Sequence, residues 1–104
     1  MTFRKRGASL GLEEEEYREL MELFRRSCGA DVQRLQEAVA AGDLQQVLHC
    51  AHTIKGSSSN LGLVDVSAAA KRIEELARAK RWSDLDANLS ILKGLFDAAL
   101  KEML

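Results

Sequence analysis

The chain has 104 residues, enough for one modest hydrophobic core and too few for two. Basic and acidic side chains nearly cancel, 15 against 16, so no charge excess points to nucleic acid or an anionic membrane as a partner. There is no proline, and the longest apolar stretches fall far short of the ~20 residues that span a bilayer. With Ala, Leu, Glu, Arg and Lys dominating, an all-α chain is expected.

Residues 1–11 open with a basic run, Arg4-Lys5-Arg6, but lack the apolar centre of a secretory signal. They read as a flexible leader, with 12–104 as the folded domain. A first helix is predicted from Leu12 to Cys28. Its acidic run Glu13–Glu16 suits the positive end of the helix dipole, and Tyr17, Leu20, Met21 and Phe24 recur on one face. Gly29 is the expected stop. Asp31 then caps a second helix carrying Val32, Leu35, Ala38 and Val39, ended by Gly42.

The third helix opens on Asp43-Leu-Gln-Gln46, a capping-box pattern, and runs to Ser59 or Asn60. Its apolar stripe is Leu44, Val47, Leu48, Ala51 and Ile54. A fourth, Val64 to Lys80, carries Val66, Ala69, Ala70, Ile73, Leu76 and Ala77 on one side. A fifth, capped by Ser83, repeats Leu85, Leu89, Leu92, Phe96, Ala99 and Met103. Short connections make consecutive helices antiparallel neighbours. The expected architecture is an up-and-down antiparallel four-helix bundle built from the last four segments, with the first lying across one end as an additional N-terminal covering helix. Breaks at Gly29, Gly42 and Asn60–Gly62 count against a continuous coiled coil. Cys28 and Cys50 sit at apolar faces, where a free thiol acts as a small hydrophobe; two cysteines make no disulfide framework, and a cytoplasmic location is expected.

Beside the third helix's core stripe runs a polar one: Gln45, His49, His52, Lys55, Gly56 and Ser59, at three- and four-residue spacings. Such an imidazole, with a cation and bare backbone one turn on, is what a docking phosphoryl donor requires. Each residue alone has a plainer reading. Gly56 costs roughly 1 kcal/mol inside a helix, yet a helix-end effect or a tight helix contact would also explain it. Lys55 alone reads as a solvated lysine. His52 could be structural, or ligate a metal with His49, though no third ligand is evident and no metal site is expected.

The stretch Ala51-His-Thr-Ile-Lys-Gly-Ser-Ser-Ser-Asn-Leu-Gly62 closely resembles the signature of histidine-containing phosphotransfer (HPt) domains. The likeness is sharp there and extends in pattern from about Leu20 to Leu104. It implies a bundle fold and names His52 as the phosphoacceptor, through Nε2. Lys55 would contact the phosphoryl group, and Gly56 would leave room for the partner. Ser57 and Ser58 would support packing near the site, and Gly62 matches the glycine that closes the motif. Several family members carry a glutamine on the next helix that hydrogen-bonds the imidazole or phosphoryl group. Twenty-two residues after His52 this chain has Glu74. A carboxylate there could fix the tautomer but would repel phosphate, and a solvated or salt-bridged glutamate is at least as good a reading.

The resemblance implies a phosphorelay carrier, accepting a phosphoryl group from a receiver-domain phosphoaspartate and passing it to another receiver. Response-regulator or hybrid-kinase receiver domains would be the partners, docking over His52 with Gly56, Ser59, His49 and Gln45. No cofactor of its own is expected; Mg2+ would come from the receiver's acidic pocket. No nucleotide-binding motif is present, so the chain should not label itself from ATP. A helical adaptor that binds a receiver without phosphotransfer is the alternative. A monomer is expected, and the short leader leans towards a free-standing protein.

Overall fold

The computed structural model describes residues 3–102, which form five α-helices: α1 Phe3–Ser9, α2 Glu14–Ala41, α3 Leu44–Asn60, α4 Val64–Arg78 and α5 Trp82–Lys101. No strand occurs among the described residues. Helices α2 to α5 make the antiparallel four-helix bundle. Each packs against its two neighbours in the ring, with α3 against α4 the closest pair. The 28 residues of α2 span about 42 Å at the helical rise, which accounts for the 41 Å long axis of the molecule.

The chain arrives at this bundle differently from expectation. The helix break at Gly29 is absent: α2 continues through it, and Gly29 does not take a positive φ. The reason lies in packing. Tyr17, Met21, Phe24, Cys28, Val32, Leu35 and Val39 keep three- and four-residue spacing through the glycine, and all are buried. Burial of each large apolar side chain is worth about 1.5–3 kcal/mol, which outweighs one glycine penalty of about 1 kcal/mol. Asp31, expected as a cap, instead lies inside α2 and meets Arg34 Nη1 at 3.3 Å. Two expected helices are thus one, and it belongs to the bundle.

The covering helix is α1, in the segment expected to be a flexible leader. It is held from both chain ends. Arg6, almost fully buried, places Nη1 2.7 Å from Glu102 Oε2 at the far end of the chain. Gly7 lies so close to Tyr17 that an added Cβ would come within 2.9 Å of the tyrosine Cβ. Tyr17 in turn donates its hydroxyl to the Leu61 carbonyl at 2.7 Å, tying this end of the bundle to the turn between α3 and α4.

That turn closes as the sequence predicts. Gly62 takes φ +75°, and the Leu63 N–H reaches back to the Ser58 carbonyl at 2.9 Å. Gly42 does the same for α2 at φ +69°. At the start of α3, Asp43 Oδ1 accepts the Gln46 N–H at 3.2 Å, while the Gln46 side-chain oxygen is engaged at Cys50 Sγ. Helix α4 ends two residues earlier than expected, and Lys80 takes the left-handed conformation. Ser83 is not the cap of α5. The helix begins at Trp82 after Arg81, which pairs with Asp84 across the first turn.

All four helices contribute to one core. Tyr17, Met21, Leu35, Ile54, Ile73 and Leu92 are fully enclosed, and the rings of Phe24 and Phe96 meet at 5.6 Å between α2 and α5. Cys28 and Cys50 are buried free thiols; burial pushes the Cys28 thiol up to about 12, so it behaves as an apolar filler. Met103, the last position of the expected α5 stripe, lies outside the described residues. No described helix is long and apolar enough to cross a membrane.

Candidate functional site

The site is set by how α3 and α4 present their edges. On α3 the core side is Val47, Cys50, Ala51, Ile54 and Ser58, all buried. His52 therefore falls just outside the core line, and its side chain is 69% exposed. Gln45, His49, Gly56 and Ser59 are exposed on the same helix, and Ser57 is half-buried. The predicted polar stripe thus faces solvent. An added Cβ on Gly56 would meet nothing within 4 Å. The glycine is therefore not demanded by a helix contact inside the protein.

Ser58 is the exception among the motif serines. It is fully buried and its hydroxyl donates back to the Ile54 carbonyl, with a weaker contact to the Lys55 carbonyl at 3.3 Å. From α4, the Ser67 hydroxyl donates to that same Lys55 carbonyl at 3.1 Å. Two hydroxyls therefore converge on the backbone just past His52, and the one from Ser67 ties α4 to α3 at the site. Ser67 is not predictable from the motif, since it lies on the other helix.

Glu74 organises the side chains. It is buried on α4, with its carboxylate only 5% exposed. Its Oε2 lies 3.2 Å from His52 Nδ1 and its Oε1 accepts from Lys55 Nζ at 3.0 Å. Arg78, one turn further on α4, approaches Oε2 at 3.4 Å. Burial pushes this carboxyl upward. Hydrogen bonds from Lys55 and His52, with the charges of Lys55 and Arg78, outweigh burial and hold it below the ordinary carboxylate value. The group is ionised at neutral pH and can only accept hydrogen bonds. The nitrogen facing it must then carry the hydrogen, which leaves the lone pair of the neutral ring on Nε2, on the side away from Glu74.

For Glu74 the geometry bears out the salt-bridged reading and not the solvated one: the carboxylate is buried and shared by His52, Lys55 and Arg78. Arg78 is a site residue that sequence reasoning missed. Its signal was present, a cation four residues after Glu74 on the same helix face. Lys55 is less free than a solvated lysine, being 30% exposed. His49 is exposed one turn before His52 and enters none of these contacts. Chemically, the arrangement offers one accessible sp2 nitrogen on a ring of fixed tautomer, an adjacent cation, and a side-chain-free approach over Gly56.

A family model for the Hpt domain matches residues 19–104. The match begins within α2 and takes in α3, α4 and α5. Comparison with curated proteins and with solved structures finds no match.

Proposed function

The chain belongs to the Hpt domain family, a family with a phosphotransfer-related role in two-component signalling, and from that premise we propose that it carries a phosphoryl group on His52 between receiver domains. The observation that carries the reading is the pairing of His52 with Glu74. A buried carboxylate 3.2 Å from Nδ1 turns a largely exposed imidazole into a ring with its nucleophilic nitrogen outward.

In the proposed step the Nε2 lone pair attacks the phosphorus of a receiver's aspartyl phosphate in line. The Nε2–P bond forms as the P–O bond to the aspartate carboxyl breaks, and the carboxylate leaves with the electron pair. Lys55, held by the other oxygen of the carboxylate that meets the ring, would turn towards the phosphoryl oxygens, where a cation lowers the cost of accumulating charge. Gly56, with Ser59, His49 and Gln45 on the same exposed face, leaves the surface open for the receiver. Ser57 and Ser58 belong to the supporting part of the helix. Mg2+ in this reading is held by the receiver's acidic pocket, not by this chain. Passing the group to a second receiver is the same step reversed.

The test is transfer from a phosphorylated receiver domain to the natural chain and to His52→Gln. Acid-labile label on the natural chain that disappears in a folded His52→Gln supports the relay. A folded natural chain that binds phosphorylated receivers without acquiring label favours the adaptor reading. The proposal also holds that ATP and Mg2+ alone give no label.

A further inference from the structure

A neutral imidazole phosphorylated on Nε2 while Nδ1 keeps its hydrogen is a phosphoimidazolium, with a full positive charge on the ring. The fate of that hydrogen decides how readily the P–N bond breaks. With Nδ1 protonated, cleavage expels neutral imidazole. With Nδ1 bare, it must expel an imidazolate, a far poorer leaving group. The ionised, buried carboxylate of Glu74 lies 3.2 Å from this nitrogen.

We infer that Glu74 is a positioning residue that keeps the proton on Nδ1 of His52 after the phosphoryl group has arrived, so that the loaded protein is held as a phosphoimidazolium poised to release. The inference rests on His52 being the acceptor. A glutamine at this place could accept the same hydrogen bond through its amide oxygen, but without the charge that favours a cationic ring. Loading and unloading then need no proton transfer: the Nε2–P bond forms or breaks, the electron pair moves to or from Nε2, and Nδ1–H stays on its carboxylate. In spontaneous decay, water attacks phosphorus, the electron pair of the P–N bond returns to Nε2, and inorganic phosphate leaves.

The charged groups that meet Glu74 besides His52 are Lys55 on α3 and Arg78 on α4, and the titratable His49 lies one turn before His52 on α3. No hydrogen bond or ion pair joins His52 or Glu74 to α2 or α5 among the described residues. Lys55 and Arg78 oppose a positive ring, whereas the directly bonded carboxylate favours it. Both cations persist in Glu74→Gln, so comparing that variant with the natural chain isolates the carboxylate's charge.

The experiment loads the full chain chemically with phosphoramidate, without any receiver, and follows the 15N shift of phospho-His52 Nδ1 together with loss of label across pH. An opposite charge at this distance moves a titration by about one unit or more, and each unit is a tenfold change in protonated fraction. Glu74→Gln is therefore expected to lose the Nδ1 proton about one pH unit lower than the natural chain and, above that pH, to shed phosphate roughly tenfold more slowly. Indistinguishable midpoints and lifetimes would overturn the inference. Should the variant fail to fold, the natural chain still decides: its Nδ1 must hold the proton to higher pH than phosphohistidine in a short peptide, and an equal midpoint would overturn the inference. Failure of receivers to label a chain that phosphoramidate loads on His52 would count against the relay, leaving this inference standing.

Discussion

Oε2 of Glu74 lies 3.2 Å from Nδ1 of His52, joining one of the most buried polar groups of the protein to one of its most exposed rings. The same carboxylate holds Lys55 at 3.0 Å through its other oxygen. The orientation of the imidazole and of the neighbouring ammonium is therefore set by a single group on the next helix, and it depends on the α3–α4 spacing.

Substitution of Gly56 is expected to separate docking from folding. Since an added Cβ meets nothing within 4 Å, Gly56→Ala should stabilise α3 by about 0.5–1 kcal/mol. It should slow phosphotransfer from a receiver while leaving phosphoramidate labelling unchanged. Thermal melts and paired labelling rates check this; equal slowing with both donors would place the defect at the ring rather than at the docking surface.

Gly29 tests the continuity of α2. In a helix interior with open space around it, Gly29→Ala should raise stability by about 1 kcal/mol. A helix that ended here on a left-handed glycine would instead be destabilised. Chemical denaturation distinguishes the two by sign.

Glu74 adds an acid-sensitive component to stability. Its carboxyl titrates below its ordinary value of 4.5 in the folded chain. A depressed carboxylate contributes stability that is complete above the unfolded value and is lost as pH falls through the folded one. At neutral pH, Glu74→Gln should be less stable by about 1 kcal/mol, since Arg78 and His52 are largely exposed and Lys55 partly so. The gap should close as pH falls through the lowered folded-state value. A gap that stays constant from neutral to acid would show that the carboxylate's charge does not stabilise the fold.

The clasp formed by α1 is expected to matter for stability and not for chemistry. Gly7→Leu must displace α1 from Tyr17, because even a Cβ comes within 2.9 Å of it. A melting temperature lowered by several degrees, as expected for a loss of about 1–2 kcal/mol, should accompany unchanged phosphoramidate labelling of His52. A labelling defect in the folded variant would extend the site to the N-terminal helix.

Much of this was legible in the chain. Periodicity placed α3, α4 and α5 within a few residues of their observed ends, and the polar stripe through His52 does face solvent. The division of α2 was not, because Gly29 followed by Asp31 carries local stop and start signals, while continuity comes from Cys28 and Val32 packing into a core formed by other helices. Helix α1 was missed for a related reason. It is fixed by Arg6 meeting Glu102, a pairing across 96 positions that no local pattern contains. At the site, spacing and resemblance led to His52, Lys55 and Gly56. The role of Glu74 depended on its burial and on which atoms it meets, and Arg78 and Ser67 became visible only when α4 lay against α3.

Everything proposed for this protein depends on His52 as the carrier of the phosphoryl group. The most direct test is single-turnover transfer from a phosphorylated receiver domain to the natural chain and to His52→Gln, with folding of both verified by circular dichroism. Acid-labile, stoichiometric label is expected on the natural chain and none on the variant. Full labelling of His52→Gln would contradict that role.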